Sequence, residues 1–239
     1  MQYINQSLVS EIRQKFCNVN TCPISGDRIF FENAGGALTL KSALETTTKF
    51  ASIPDNQGRD NAASKALNDV IKNAKSDLSA LFNTQSGEFF MGESGTELLF
   101  RLIRNAVLAS PSGGSIVGTS LEHPASRSAA KKWSNEMEYT YLSVPHSVKT
   151  GTVDPKNYAS KISDTTRVVT IVHASPVTGM GTKIKEISKI VRQKAPLAFI
   201  IVDGIQHAAH GGIDIESYDI DGYVICLLYT SDAADDSIR

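Results

Sequence analysis

Apolar residues fall along this chain in two alternating patterns. Short unbroken runs occupy Ser115–Thr119 (SIVGT), Arg167–His173 (RVVTIVH) and Leu197–Val202 (LAFIIV). They lack polar alternation, which suits strands buried on both faces, as in a parallel sheet flanked by helices. Met137–Val144 and the start of EFFMGES, from Glu88, read as two further strands. Between the runs the spacing becomes helical. Leu67, Val70, Ile71, Ala74, Leu78, Leu81 and Phe82 trace one face of a long helix expected to pack on the sheet. Leu98, Leu102 and Ile103 mark another helix, as do Ile184, Ile187, Ile190 and Val191. Asp154-Pro155 is a helix start, with an N-cap carboxylate and proline at the first position. Near the N-terminus, Ile4, Leu8, Ile12 and Phe16 give Tyr3–Phe16 an amphipathic face. Strands alternating with helices through short loops predict an α/β fold with a largely parallel sheet.

The chain has 239 residues, 41% of them hydrophobic and 21% charged, the balance of an ordinary globular protein. With 24 basic against 25 acidic residues, nothing recommends a nucleic-acid or anionic-membrane partner. Cys17, Cys22 and Cys226 are few and odd in number, which favours a reducing compartment over a disulfide framework. MQYINQSLVSEIRQKF has no signal-peptide core, and no apolar run approaches a membrane span. A soluble, cytoplasmic protein is expected.

The candidate chemistry gathers at strand ends. The LAFIIV run stops at Asp203-Gly204, with Gln206, His207 and His210 close behind. Open α/β sheets bind ligands beyond the carboxyl ends of their strands, so a carboxylate there is a candidate site residue. The bland account is an Asp capping the next helix. Ser94-Gly95-Thr96-Glu97 is either a capping box or, through the free N–H groups of a helix start, an anion cradle. Glu122-His123-Pro124-Ala125 follows the SIVGT strand.

Taken in order, these segments resemble aminotransferase class V, the pyridoxal-phosphate (PLP) family containing the cysteine desulfurases. Asp203-Gly204-Ile205-Gln206 with His210 resembles the family's Asp-Gly-x-Gln-x-x-x-His segment. The resemblance implies that Asp203 keeps the pyridine nitrogen protonated and Gln206 bonds the ring's phenolic oxygen. It implies Gly95 and Thr96 for the cofactor phosphate, and His123 for stacking on the ring and assisting proton transfer. IFFENAGGA resembles the motif near the substrate, with Glu32 where Asp is usual, and nominates Asn33. Pro176 stands where the family generally has a cofactor-contacting Asn, and proline offers no such side-chain bond. The implied fold is the fold-type I large domain, a mostly parallel sheet flanked by helices. The implied protein is a homodimer acting on an amino acid.

ESYDIDGYVI resembles the family's Asp-x-Asp-Phe-Tyr strand, which leads to the lysine that carries PLP as a Schiff base. Register from Asp219 and Asp221 puts Cys226 at the family's Ser and Tyr229 at its Lys, and no lysine follows Lys194. The tail CLLYTSDAADDSIR reads like a translated sequencing-adaptor read-through. The expectation is an N-terminal arm and connector over 1–30, a PLP-binding large domain over 31–225 truncated before the small C-terminal domain, and a non-native tail over 226–239. Such a chain would be inactive, and neither Cys17 nor Cys22 can be assigned as a desulfurase nucleophile. Two other readings compete. Asp203, His207 and His210, at i, i+4 and i+7 of a helix, could ligate a metal in a hydrolase. Alternatively, the chain is a catalytically inactive PLP-fold binding protein.

Overall fold

The computed structural model describes residues 5–31, 36–54 and 58–227. They divide into two compact units, one taking in the chain up to Ser76 together with Leu227, the other spanning Asp77–Cys226. The first holds helix α1 (Gln6–Gln14), a hairpin of β1 (Thr21–Cys22) and β2 (Gly26–Asp27), helix α2 (Lys41–Ala51) and most of α3 (Ala62–Phe82). Both long periodic segments are helical, yet Leu8 and Ile12 of α1 stand exposed, as do Val70 and Ile71 of α3. The expected packing of α3 on the sheet holds only for its last turn, where Leu78 and Phe82 enter a core cluster.

The second unit carries five parallel strands in the order β4-β3-β5-β6-β7. They are β3 (Ser115–Thr119), β4 (Thr140–Val144), β5 (Thr166–Val172), β6 (Phe199–Asp203) and β7 (Gly222–Val224). The unbroken apolar runs form β3, β5 and β6 because both faces of the sheet are covered. On one face Leu99 and Ile103 of α4 (Gly95–Leu108) and Ala129 of α5 (Pro124–Glu136) meet Ile116, Val168 and Ile201. On the other, Tyr158 of α6 (Pro155–Ala159) and Ile187 and Val191 of α7 (Ile184–Lys194) meet Val117, Val169 and Ile200. The expected helix start at Asp154 is present, its carboxylate accepting from Lys156 N at 2.9 Å.

Residues 88–94 differ from expectation. They run irregularly into α4, with Phe90 and Met91 exposed, because no strand among the described residues pairs with them. Strand order also reverses at β3. The chain leaves β3 through α5 for β4 on one side, and leaves β5 through α7 for β6 on the other. The exits of β3 and β5 therefore diverge, opening the crevice in which α/β sheets bind ligands.

The Asp-x-Asp segment has a structural task. Asp221 Oδ2 accepts from Ile200 N at 2.7 Å and from Arg192 at 2.8 Å, and Arg192 also donates to Ala198 O at 2.7 Å. This ties α7 and the start of β6 to the loop before β7. Asp221→Ala should lower unfolding free energy by about 1–3 kcal/mol, as expected for buried partners left unpaired. Asp221→Asn, which keeps an acceptor for Ile200 N, should lose less. Urea denaturation of the three chains checks both.

Candidate active site

Register brings three strand ends level, pairing Val172 with Asp203 and Asp203 with Val224. Asp203 ends β6 with only 5% of its surface exposed. Its Oδ1 accepts from Ile205 N at 3.2 Å and its Oδ2 from the Ser126 hydroxyl at 3.3 Å. Both bonds are long for a carboxylate. Burial pushes its carboxyl above the usual range, against the Ile205 N–H, the charge of His123 and the Ser126 hydroxyl. A carboxylate so placed is short of a cation.

The start of α4 reaches the same place. A Cβ on Gly95 would lie 2.3 Å from Ile205 Cδ1, so the helix N-terminus packs on the residue two beyond Asp203. Ser94 caps α4, its Oγ accepting from Glu97 N at 3.1 Å and its carbonyl from Leu98 N at 3.0 Å. Half of the capping box is thus realised: the Glu97 carboxylate does not return to Ser94 N but accepts from Arg101 at 2.8 Å. The Ser94 cap also leaves Gly95 and Thr96 as the first N–H groups of the helix, which have no intrahelical acceptor. The cap does not consume those two donors.

His123 is the N-cap of α5, with Nδ1 accepting from Ala125 N at 3.2 Å. The same first turn supplies Ser126, fully buried against Asp203. Gln206 lies half-buried in the turn after β6. The structure thus gathers Gly95, Thr96, His123, Asp203 and Gln206 around one edge of the sheet. Asn33 lies outside the described residues. Pro176 is exposed, in a turn where Ser175 Oγ accepts from Val177 N and Thr178 N, each at 3.2 Å.

The metal reading fails on geometry. Residues 205–210 form turns rather than a helix, so Asp203, His207 and His210 share no face. His207 stacks on His173, ring centroids 3.5 Å apart, and its Nε2 donates to Gly212 O at 3.1 Å, while His210 is exposed. Among the described residues no three His, Cys, Asp or Glu side chains form a metal set.

Sequence reasoning missed Ser126, whose only signal was a small hydroxyl in the first turn after His123. It also missed an aromatic brace formed by His173, His207, Tyr218 and Tyr223. His173 Nδ1 and the Tyr223 hydroxyl are 2.6 Å apart. A Cβ on Gly204 would lie 2.2 Å from the Tyr223 ring, which is why glycine must follow Asp203. Burial, then the charge of His207, bring the His173 imidazole down to about 4.

Comparison with known proteins agrees with this geometry. The aminotransferase class-V family profile matches residues 29–226, and the chain belongs to that family. Members depend on PLP. The chain is 30% identical over 207 residues to the cysteine desulfurase-like protein ustD of Aspergillus flavus, covering 84% of this chain and 46% of that protein. It is 30% identical over 156 residues to a cysteine desulfurase of Nostoc, covering 65% and 38%. It spans about half the length, or less, of these relatives. The fold matches the Escherichia coli cysteine desulfurase CsdA at TM-score 0.77 and 18% identity, covering 92% of this chain and 54% of that one. It matches a lysine-to-alanine mutant of C-DES, with glycine covalently linked to the PLP cofactor, at TM-score 0.75 and 20% identity, covering 91% and 56%. This is the fold-type I architecture.

Two outcomes follow for the brace. Gly204→Ala should cost about 1–3 kcal/mol by overpacking against a held ring, measured by thermal or urea unfolding. His173 stays neutral when folded while its unfolded form binds a proton below 6.5, so stability should fall as pH drops from 6.5 towards about 4. His173→Gln should flatten that part of a stability–pH curve.

Proposed function

We propose that this chain holds the cofactor site of a PLP-dependent enzyme acting on an amino acid, cysteine desulfurase-like in kind. The observation that carries the reading is Asp203, a buried carboxylate with two long hydrogen bonds, in one cleft with the free N-terminus of α4. A protonated ring nitrogen supplies the cation that Asp203 lacks. A phosphate suits the Gly95 and Thr96 N–H groups and the positive end of the helix. The residues present therefore fit the group. When bound, PLP supplies an electron sink for charge developing at the α-carbon of an amino acid.

The chain's own residues divide the remaining work. Asp203 holds the proton on the ring nitrogen through a charge-assisted bond, and Ser126 orients its carboxylate. Gln206 offers its amide to the phenolic oxygen. His123 covers the ring face, and because its Nδ1 is engaged by Ala125 N, Nε2 is the atom free to exchange a proton. No lysine occurs between Lys194 and Arg239, so in this stretch of chain PLP would be held without a covalent bond. The homodimer and the cytoplasmic setting belong to the same proposal. Among the described residues no helix is long and apolar enough to cross a membrane.

Titration of the chain with PLP, followed by absorbance, tests the reading. Wild type should bind reversibly, and Asp203→Asn should weaken binding about tenfold or more, the worth of a hydrogen bond to a charged group. Equal affinity in the two chains would refute the role of Asp203. After borohydride treatment, a stoichiometric adduct that Asp203→Asn abolishes would refute non-covalent holding.

A further inference from the structure

Behind His123 and Asp203 lies a buried polar cluster that the cofactor reading does not use. Glu122 has 3% of its surface exposed. Its Oε1 accepts from Thr119 Oγ1 at 3.1 Å and from Val172 N at 3.1 Å. Thr119 is the last residue of β3 and Val172 the last of β5, so one carboxyl oxygen spans the two diverging exits of the switch point. Its Oε2 is buried without a hydrogen-bond partner, as are Tyr141 Oη and Thr170 Oγ1. These groups crowd one spot. A Cβ on Gly118 would lie 2.7 Å from Thr170 Oγ1, 2.9 Å from Tyr141 Oη and 3.5 Å from Glu122 Cγ.

We infer that Glu122 is the positioning residue of the cleft: its carboxyl ties the exit of β3 to the exit of β5 and so fixes His123, the next residue, relative to Asp203. The positioning role rests on the reading of His123 and Asp203 as cofactor contacts; the tie between strands does not.

The surroundings decide the charge state of this carboxyl. Asp203 faces it from β6, Tyr141 from β4, Tyr158 from α6, and Thr119 and Thr170 from β3 and β5. His123 adjoins it in the chain, and Arg127 of α5 acts on Tyr141. Burial, then the charge of Asp203, push the Glu122 carboxyl up to about 8, against the Thr119 hydroxyl and the N–H groups of Val172 and Thr119. Burial thus favours the uncharged form of Glu122 beside Asp203. An amide of the same shape can hold both bonds to Oε1. A methyl group cannot.

The sign of the pH effect follows. The folded chain keeps a proton on Glu122 that the unfolded chain releases above 4.5, so this residue's contribution to stability declines with rising pH up to about 8. His173 works in the opposite sense but only below 6.5; between 6.5 and 8 the contribution of Glu122 overlaps those of Asp203 and of Cys22, whose thiol the hydrogen bond with Ser25 brings down to about 7. Comparison with Glu122→Gln separates the two carboxyls.

The experiment measures urea unfolding of the full chain, as wild type, Glu122→Gln and Glu122→Ala, across that interval, together with PLP affinity at pH 6.5. The ratio of wild-type to Glu122→Gln folding constants should fall by up to about tenfold per pH unit. At pH 6.5, Glu122→Gln should bind PLP within about threefold of wild type, whereas Glu122→Ala should lose tenfold or more. A pH-independent ratio would overturn the uncharged acid. Equal PLP affinity in all three chains would overturn the positioning role. If neither variant folds, isotope-edited infrared spectra of glutamate-labelled wild type decide: a protonated-carboxyl band at pH 6.5 that fades towards pH 9 supports the inference, and its absence refutes it. Should wild type bind no PLP while the pH ratio behaves as expected, the cofactor reading fails and the tie between strands stands.

Discussion

A carboxylate at the buried end of a parallel strand is expensive in free energy, and much of the second unit is arranged around that cost. Asp203 loses its water because the starts of α4 and α5 pack beside it, Gly95 against Ile205 and Ser126 against its carboxylate. What it receives in return is modest: a backbone N–H and a serine hydroxyl. A structure that only needed to fold would do better with an apolar residue here. The shortfall is what the proposed cofactor would make good, since a cation arriving in the cleft recovers what burial removed.

The neighbours of that carboxylate are organised by the same constraint. Gly95 lets the start of α4 approach Ile205, which brings the positive end of a helix to the Asp203 turn. Gly204 admits the Tyr223 ring, and the ring meets His173, stacked on His207. One glycine thus admits a close neighbour on the α4 side of the turn and the other on its far side. The turn is held between two rigid groups, as a site that must present a charge at a fixed position requires.

The sheet was legible in the sequence because both of its faces are covered: SIVGT, RVVTIVH and LAFIIV have no polar alternation and became β3, β5 and β6. The chain order of Gly95-Thr96, His123 and Asp203 was equally informative, since each falls where a helix begins or a strand ends. Side-chain partners were not legible. Ser126 meets Asp203 across 77 positions of chain, and Glu122 meets Val172 N across 50. Such pairings depend on strand order, which local pattern does not encode. The helical periodicity of Val70 and Ile71 identified their helix but overstated their burial, because periodicity reports which face is apolar and not what covers it. The metal triad misled for a related reason: the i, i+4, i+7 spacing presupposed a helix where the chain makes turns.

The short β7 strand has a further bearing on how this protein behaves in solution. Its three residues hydrogen-bond to β6 along one side, and among the described residues no strand lies along the other. In the same unit, Phe90 and Met91 present apolar surface to solvent. Unpaired backbone of this kind is a template for annealing to a neighbouring polypeptide.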